Sequence, residues 1–69
     1  MTFAERLTFA LQVTGKRRVD ICNATGFSQA NLSHFTTGQR EPSLESLARL
    51  LEALPEVDAR WLITGKEQK

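Results

Sequence analysis

The chain has 69 residues, of which 41% are hydrophobic, 25% charged and two proline, the composition of a small folded domain with a modest core rather than of a disordered tail. One cysteine and one histidine exclude an internal disulfide and the usual four-ligand zinc site, so no metal or cofactor is assigned. The net charge of +1 hides an asymmetry: residues 1–40 set Arg6, Lys16, Arg17, Arg18 and Arg40 against Glu5 and Asp20, a net +3, while residues 41–69 set four cations against six carboxylates, a net −2. One basic and one acidic half is the pattern of a protein that turns a single face to phosphate.

Thr2 and Glu5 form a T-x-x-E capping box that opens a first helix. Phe3, Leu7, Ala10 and Leu11 then recur at the spacing of one apolar face, and the helix is expected to end near Thr14 and Gly15. Phe9 and Val13 lie off that face. Either they are buried on a second side, which the shortage of core residues favours, or they show an apolar surface to solvent or to a partner.

Lys16, Arg17 and Arg18 stand at the start of a second helix, where the dipole and the free N–H groups prefer acidic residues and an oxygen-bearing cap. Three cations in that place are locally unfavourable. A bound phosphate supplies the missing negative charge; the plainer alternative is a solvated run offset in part by Asp20.

From Arg18 to Thr37 the chain reads as two short helices joined at Gly26, a helix-turn-helix. Gly26 follows the last turn of the first, where the backbone must turn left-handed. Cys22, one turn earlier, is small enough for a second helix to cross above it, and Leu32 is that helix's inward anchor. Ser28 caps it. With Leu32 pointing inward, a rotation of about 100 degrees per residue puts Phe35 inside and Ala30, Ser33, His34 and Thr37 outside, with Gln29 at the N-terminal edge. That outer stripe has no charge and no large apolar group. Small polar side chains and an amide suit a close approach to base edges better than they suit a merely solvated helix.

Gly38 ends this helix, and a loop leads to Ser43, the cap of a fourth. Leu44, Leu47, Ala48, Leu51 and Leu54 are its expected inward face, with Glu45, Arg49 and Glu52 outside. Pro55 stops it. Asp58 caps a last short helix ending at Thr64 and Gly65, with a charged tail beyond. In it Trp61, Leu62 and Ile63 are consecutive, and one face cannot bury all three. Val57 and Leu62 are assigned to the core, while Trp61 or Ile63 either completes it against Phe3 or Phe9 or forms an apolar patch for a second subunit. No repeat, low-complexity segment or strand-like alternation is present, so the fold expected is all-α with five helices. No apolar run nears the roughly 20 residues that span a bilayer, and no signal peptide opens the chain; a cytoplasmic protein is expected.

The run RLTFALQVTGK, the Cys22, Gly26, Leu32 spacing, the segment GFSQANLSHFTTGQREPS and the closing DARWLITGK together resemble the phage Cro and repressor class of helix-turn-helix regulators, the XRE family. The resemblance covers residues 6–66. It implies a compact lambda-repressor-like domain over residues 1–69, and a transcription regulator that binds a palindromic double-stranded DNA operator as a homodimer. It also implies roles by position. Arg18 meets phosphate at the start of the second helix, where the charge run read above adds Arg17; Gln29, Ala30, Ser33 and His34 read bases; Ser28, Asn31, Thr37 and Arg40 hold mainly the DNA backbone. The Gln29 amide matches N6 and N7 of adenine, Ala30 a thymine methyl, and His34 a guanine acceptor or a phosphate, unless His34 is simply an exposed histidine. Three positions depart from the family: Arg17 replaces a capping Ser or Thr, Lys16 a residue that is often apolar, and Cys22 an alanine. The first two imply a larger share of phosphate contacts and a steep salt dependence.

Enzyme chemistry finds no support. Ser33 and His34 are adjacent on a helix and point about 100 degrees apart, and no carboxylate pair or glycine-rich phosphate loop is present. The competing class is an interaction module, since the same fold serves antitoxins and protein-binding domains. Dependence of DNA affinity on Gln29 separates the two. With no long linker or second domain in view, a complete Cro-like protein is expected rather than the N-terminal part of a longer repressor.

Overall fold

The computed structural model describes residues 1–66, in five helices: α1 (Phe3–Thr14), α2 (Arg18–Thr25), α3 (Gln29–Thr37), α4 (Leu44–Ala53) and α5 (Ala59–Thr64). The charged tail at residues 67–69 lies outside the described residues. Among the described residues there is no strand, and no helix is long and apolar enough to cross a membrane.

Local chemistry sets the boundaries. The Thr2 hydroxyl accepts from the Glu5 N–H at 3.2 Å, and the Thr2 N–H donates to the Glu5 carboxylate at 2.9 Å. The Thr2 N–H, and after it the Thr2 hydroxyl beside the carboxylate, hold the Glu5 carboxyl below its ordinary range. Ser28, Ser43 and Asp58 cap α3, α4 and α5 through their side-chain oxygens. At α2 the N-cap is Arg17, whose side chain has no acceptor to offer; the Asp20 N–H turns back to the Arg17 carbonyl at 3.1 Å, and the Arg17 N–H reaches the Asp20 carboxylate only at 3.4 Å. Gly26 closes α2 at φ +81°, a conformation that a side chain would strain.

Every helix contributes to one core, in which Leu7, Leu32, Leu50, Leu54 and Leu62 are fully buried and Ile21, Cys22 and Phe35 nearly so. α1 packs on α3 and α5, and α2 on α3 and α4. The ring of Phe27, in the turn, meets that of Phe35 edge-on at 5.5 Å, so the turn is fastened to α3 by its own aromatic.

Several expectations change. Phe9 and Val13 are 47% and 66% exposed rather than in the core, because they point away from Leu7 and Leu11, the side chains that α1 turns inward, and only the rim of α5 meets them. The Phe9 ring instead lies on Trp61 at 5.9 Å. Trp61 is therefore half-buried while Ile63 is exposed. On α4, Leu44 is 85% exposed and Ala48 exposed, whereas Leu50 is fully buried: contact with α2 turns the inward face toward Leu50 and Leu54, leaving Leu47 and Leu51 on its flank.

Two cations of the basic half serve the fold instead of a ligand. Arg6 is buried, its Nε donating to the Leu62 carbonyl at 2.8 Å and its Nη2 to the Ile63 carbonyl at 3.0 Å, with Nη1 on the Met1 carbonyl. It closes the C-terminal end of α5. Lys16 is turned from the start of α2 to the end of α4, where Nζ reaches the Ala53 carbonyl at 2.7 Å and the Glu56 carboxylate at 3.0 Å. The Glu56 carboxyl is held below its ordinary range by its own backbone N–H and then by Lys16.

Arg6→Met keeps the stem and strips the donors, leaving buried carbonyls of α5 unpaired. Stability is expected to fall by ~2–4 kcal/mol, read as an earlier midpoint in urea unfolding. An unmoved midpoint contradicts the role given to Arg6.

Candidate nucleic-acid interface

α3 is phased by Leu32 and Phe35, both buried against α1 and α2. This fixes what it shows to solvent. Gln29, Ala30, Asn31 and Thr37 are exposed, and Ser33 and His34 are half-exposed between them. Thr36, on the inner flank, is buried, and the Thr8 hydroxyl of α1, which donates mainly to the Ala4 carbonyl at 2.9 Å, also lies 3.3 Å from the Thr36 carbonyl.

Hydrogen bonding within the chain decides which polar groups stay available. The side chains of Gln29, Asn31, Ser33 and His34 make no hydrogen bond among the described residues, so the Gln29 amide keeps both its donor and its acceptor. Ser28 Oγ accepts from the Asn31 N–H at 3.1 Å and retains its proton to donate. Thr37 differs: its hydroxyl donates to the Ser33 carbonyl at 2.8 Å, which leaves only lone pairs facing outward. Such a hydroxyl suits a donor on a base edge better than a phosphate oxygen.

The cations flank this face. Arg17 pairs loosely with Asp20 at 3.4 Å, its side chain largely exposed, a contact worth little in water. Arg18 at the start of α2 and Arg40 beyond the end of α3 have no ion-pair partner among the described residues. Arg18 lines a shallow cleft with Gln12 and Thr8 of α1 and Thr36 of α3, so the start of α2 and the flank of α3 form one surface. Of the expected site residues, α3 thus gathers Gln29, Ala30, Ser33, His34 and Thr37 on one side. Ser28 and Asn31 lie at its N-terminal edge, and Arg17, Arg18 and Arg40 lie on the elements before and after it. Gln12 joins the surface without having been picked out, because a single amide on an exposed helical position carries no signal in sequence.

Residues 15–62 match the family model described as helix-turn-helix. The chain is 36% identical over 64 residues to the HTH-type transcriptional regulator for conjugative element R391 of Providencia rettgeri, and equally to those for element SXT of Vibrio cholerae and pMERPH of Shewanella putrefaciens. The match covers 93% of this chain and 29% of each relative, so the chain spans under a third of their length. No solved structure gives a significant match. A match that takes in the whole α2–turn–α3 unit, together with the caps and left-handed turn found there, makes this chain a member of the XRE-type helix-turn-helix family of DNA-binding domains.

Proposed function

We propose that the protein is a sequence-specific transcription regulator of Cro or repressor type, whose residues 1–69 act as one DNA-binding domain in the cytoplasm. A homodimer lays two α3 helices into successive major grooves of a two-fold operator, ~34 Å apart. The observation that carries this reading is the outward face of α3: exposed, uncharged, free of internal hydrogen bonds at Gln29, Ser33 and His34, and bordered by cations at Arg17, Arg18 and Arg40. Support comes also from the relatives, whose names make them regulators of conjugative elements. A regulator of a mobile or prophage element is the corresponding role here.

In this reading Gln29 reads adenine through a paired amide contact, while Ala30, Ser33 and His34 complete the base contacts. Thr37, with its proton already given to the helix, takes a base donor. Arg17, Arg18, Arg40, Ser28 and Asn31 grip phosphates and set the register. A second reading, a protein-interaction module, draws on the apolar strip of Phe9, Val13 and Trp61 along α1 and α5. Selection of bound sites from a random duplex pool separates the two. A two-fold motif with half-sites about one helical turn apart supports the operator reading, and no enrichment at moderate salt supports the interaction module.

Against the selected site, Gln29→Ala is expected to cost ~1–3 kcal/mol and to relax preference at one position per half-site, measured by competition binding. An equal loss on random DNA contradicts base reading by Gln29. Arg18→Ala is expected to weaken all sequences alike and to lower the salt slope by about 1 per subunit. Arg17→Ser supplies the acceptor that α2 lacks: stability should rise by up to ~1 kcal/mol in thermal unfolding while DNA affinity falls. Unchanged DNA affinity speaks against Arg17 as a phosphate contact, and a fall in stability speaks against the cap that α2 is said to lack.

A further inference from the structure

We propose that Arg49 is a positioning residue for DNA recognition, a bracket from α4 that fixes the end of α2 and with it the angle at which α3 is presented. Its Nη1 donates to the carbonyl of Thr25, the last residue of α2, at 3.2 Å, and its Nη2 is held by Glu45 Oε1 at 3.0 Å. The guanidinium passes over the turn itself, so that a Cβ placed on Gly26 would lie 3.6 Å from Nη1.

The bracket acts on the joint of the helix pair. After Thr25 the chain turns left-handed at Gly26, whose N–H donates to the Cys22 carbonyl at 2.8 Å, and the Phe27 N–H donates back to Thr25 Oγ1 at 3.2 Å. The same hydroxyl donates to the Ile21 carbonyl at 2.7 Å. All these bonds lie within residues 21–27; Arg49 is the hydrogen bond that fastens them to another element. A cation on the carbonyl end of a helix is also favoured by the dipole.

The consequence follows from what the two helices hold. Arg18 opens α2 and Gln29 opens α3, so the angle at the turn sets the distance between the phosphate grip and the base-reading face. A duplex with fixed geometry accepts both contacts only at one such angle, whereas non-specific binding through phosphate tolerates several. Arg49 therefore serves discrimination more than affinity. This rests on the operator reading given above.

The test combines duplex binding with amide hydrogen exchange on Arg49→Ala, Arg49→Lys and Glu45→Gln. Arg49→Ala is expected to lose about tenfold in affinity for the selected site while binding to a random duplex changes by less than about twofold. The Gly26 and Phe27 amides should exchange several-fold faster, with α1 amides unchanged. Arg49→Lys, which keeps a donor for the Thr25 carbonyl, should recover most of the discrimination, and Glu45→Gln should lose only part of it. An equal loss on both duplexes with a flatter salt slope makes Arg49 a phosphate contact and overturns the proposal. So does unchanged exchange at Gly26 and Phe27, or faster exchange throughout all helices. If the unaltered protein shows no preference among duplexes, the operator reading fails, and exchange at Gly26 and Phe27 alone decides whether the bracket exists.

Discussion

Short helices leave a large fraction of their backbone unpaired, since each ends with up to four carbonyls that have no partner in the helix. With helices of 6 to 12 residues, closing those ends is the constraint on which the rest of this structure depends. Left-handed glycines at Gly15, Gly26, Gly38 and Gly65 turn the chain away but do not supply enough donors. Long cations from other elements supply the rest: Arg6 from α1 closes α5, Lys16 closes α4, and Arg49 from α4 closes α2. The side chain matches the task. A guanidinium spreads its donors over the carbonyls of Met1, Leu62 and Ile63, whereas the Lys16 ammonium is a point donor set between one carbonyl and one carboxylate.

These cross-links define which charges remain for a ligand. Arg6 and Lys16 belong to the basic half by sequence, yet their donors point inward or along the surface to α4 and α5. What is left in that half is Arg17, Arg18 and Arg40, all beside the α2–α3 unit. The polarity of the molecule is thus carried by fewer residues than the composition indicates, and they stand closer to the recognition face. α3 is closed differently, by the Arg40 N–H on the His34 carbonyl, with the Thr8 hydroxyl shared between the Ala4 and Thr36 carbonyls. Among the described residues no side-chain cation bonds to its last carbonyls, and its outward face carries no Lys, Arg, Asp or Glu.

The parts of this fold that sequence reveals are those set by neighbours within a turn or two. Thr2 with Glu5, Ser28, Ser43, Asp58 and Gly26 each act on backbone groups at most four residues away, and the helix ends beside them, the joint between α2 and α3 included, follow from them. The face of α3 was legible for the same reason, because Leu32 and Phe35 fix its phase unaided. α4 was not. Leucines at 44, 47, 50, 51 and 54 cover more than one face, and only the position of α2 decides that Leu50 goes in and Leu44 stays out. The partners of Arg6, Lys16 and Arg49 lie 56, 37 and 24 residues away, beyond any local pattern. Within the candidate site, the exposed positions could be read in advance, but not that Thr37 spends its proton on Ser33.

The start of α2 brings the two sides of this account together. The four other helices open on a side chain that accepts from their first free N–H groups, whereas α2 opens on an arginine that cannot. Asp20 compensates weakly, at 3.4 Å and in water. Left to itself this end is the least well-closed of the five, and the dipole there is unfavourable to the guanidinium groups of Arg17 and Arg18. A phosphate reverses both signs at once, accepting from the free N–H groups and pairing with the cations. In the proposed complex the DNA backbone therefore completes a helix that the chain leaves unfinished, and part of the binding energy is the removal of a strain that exists only without DNA. A seryl or threonyl cap in place of Arg17 would relieve the same strain within the protein, and the gain on binding would shrink accordingly.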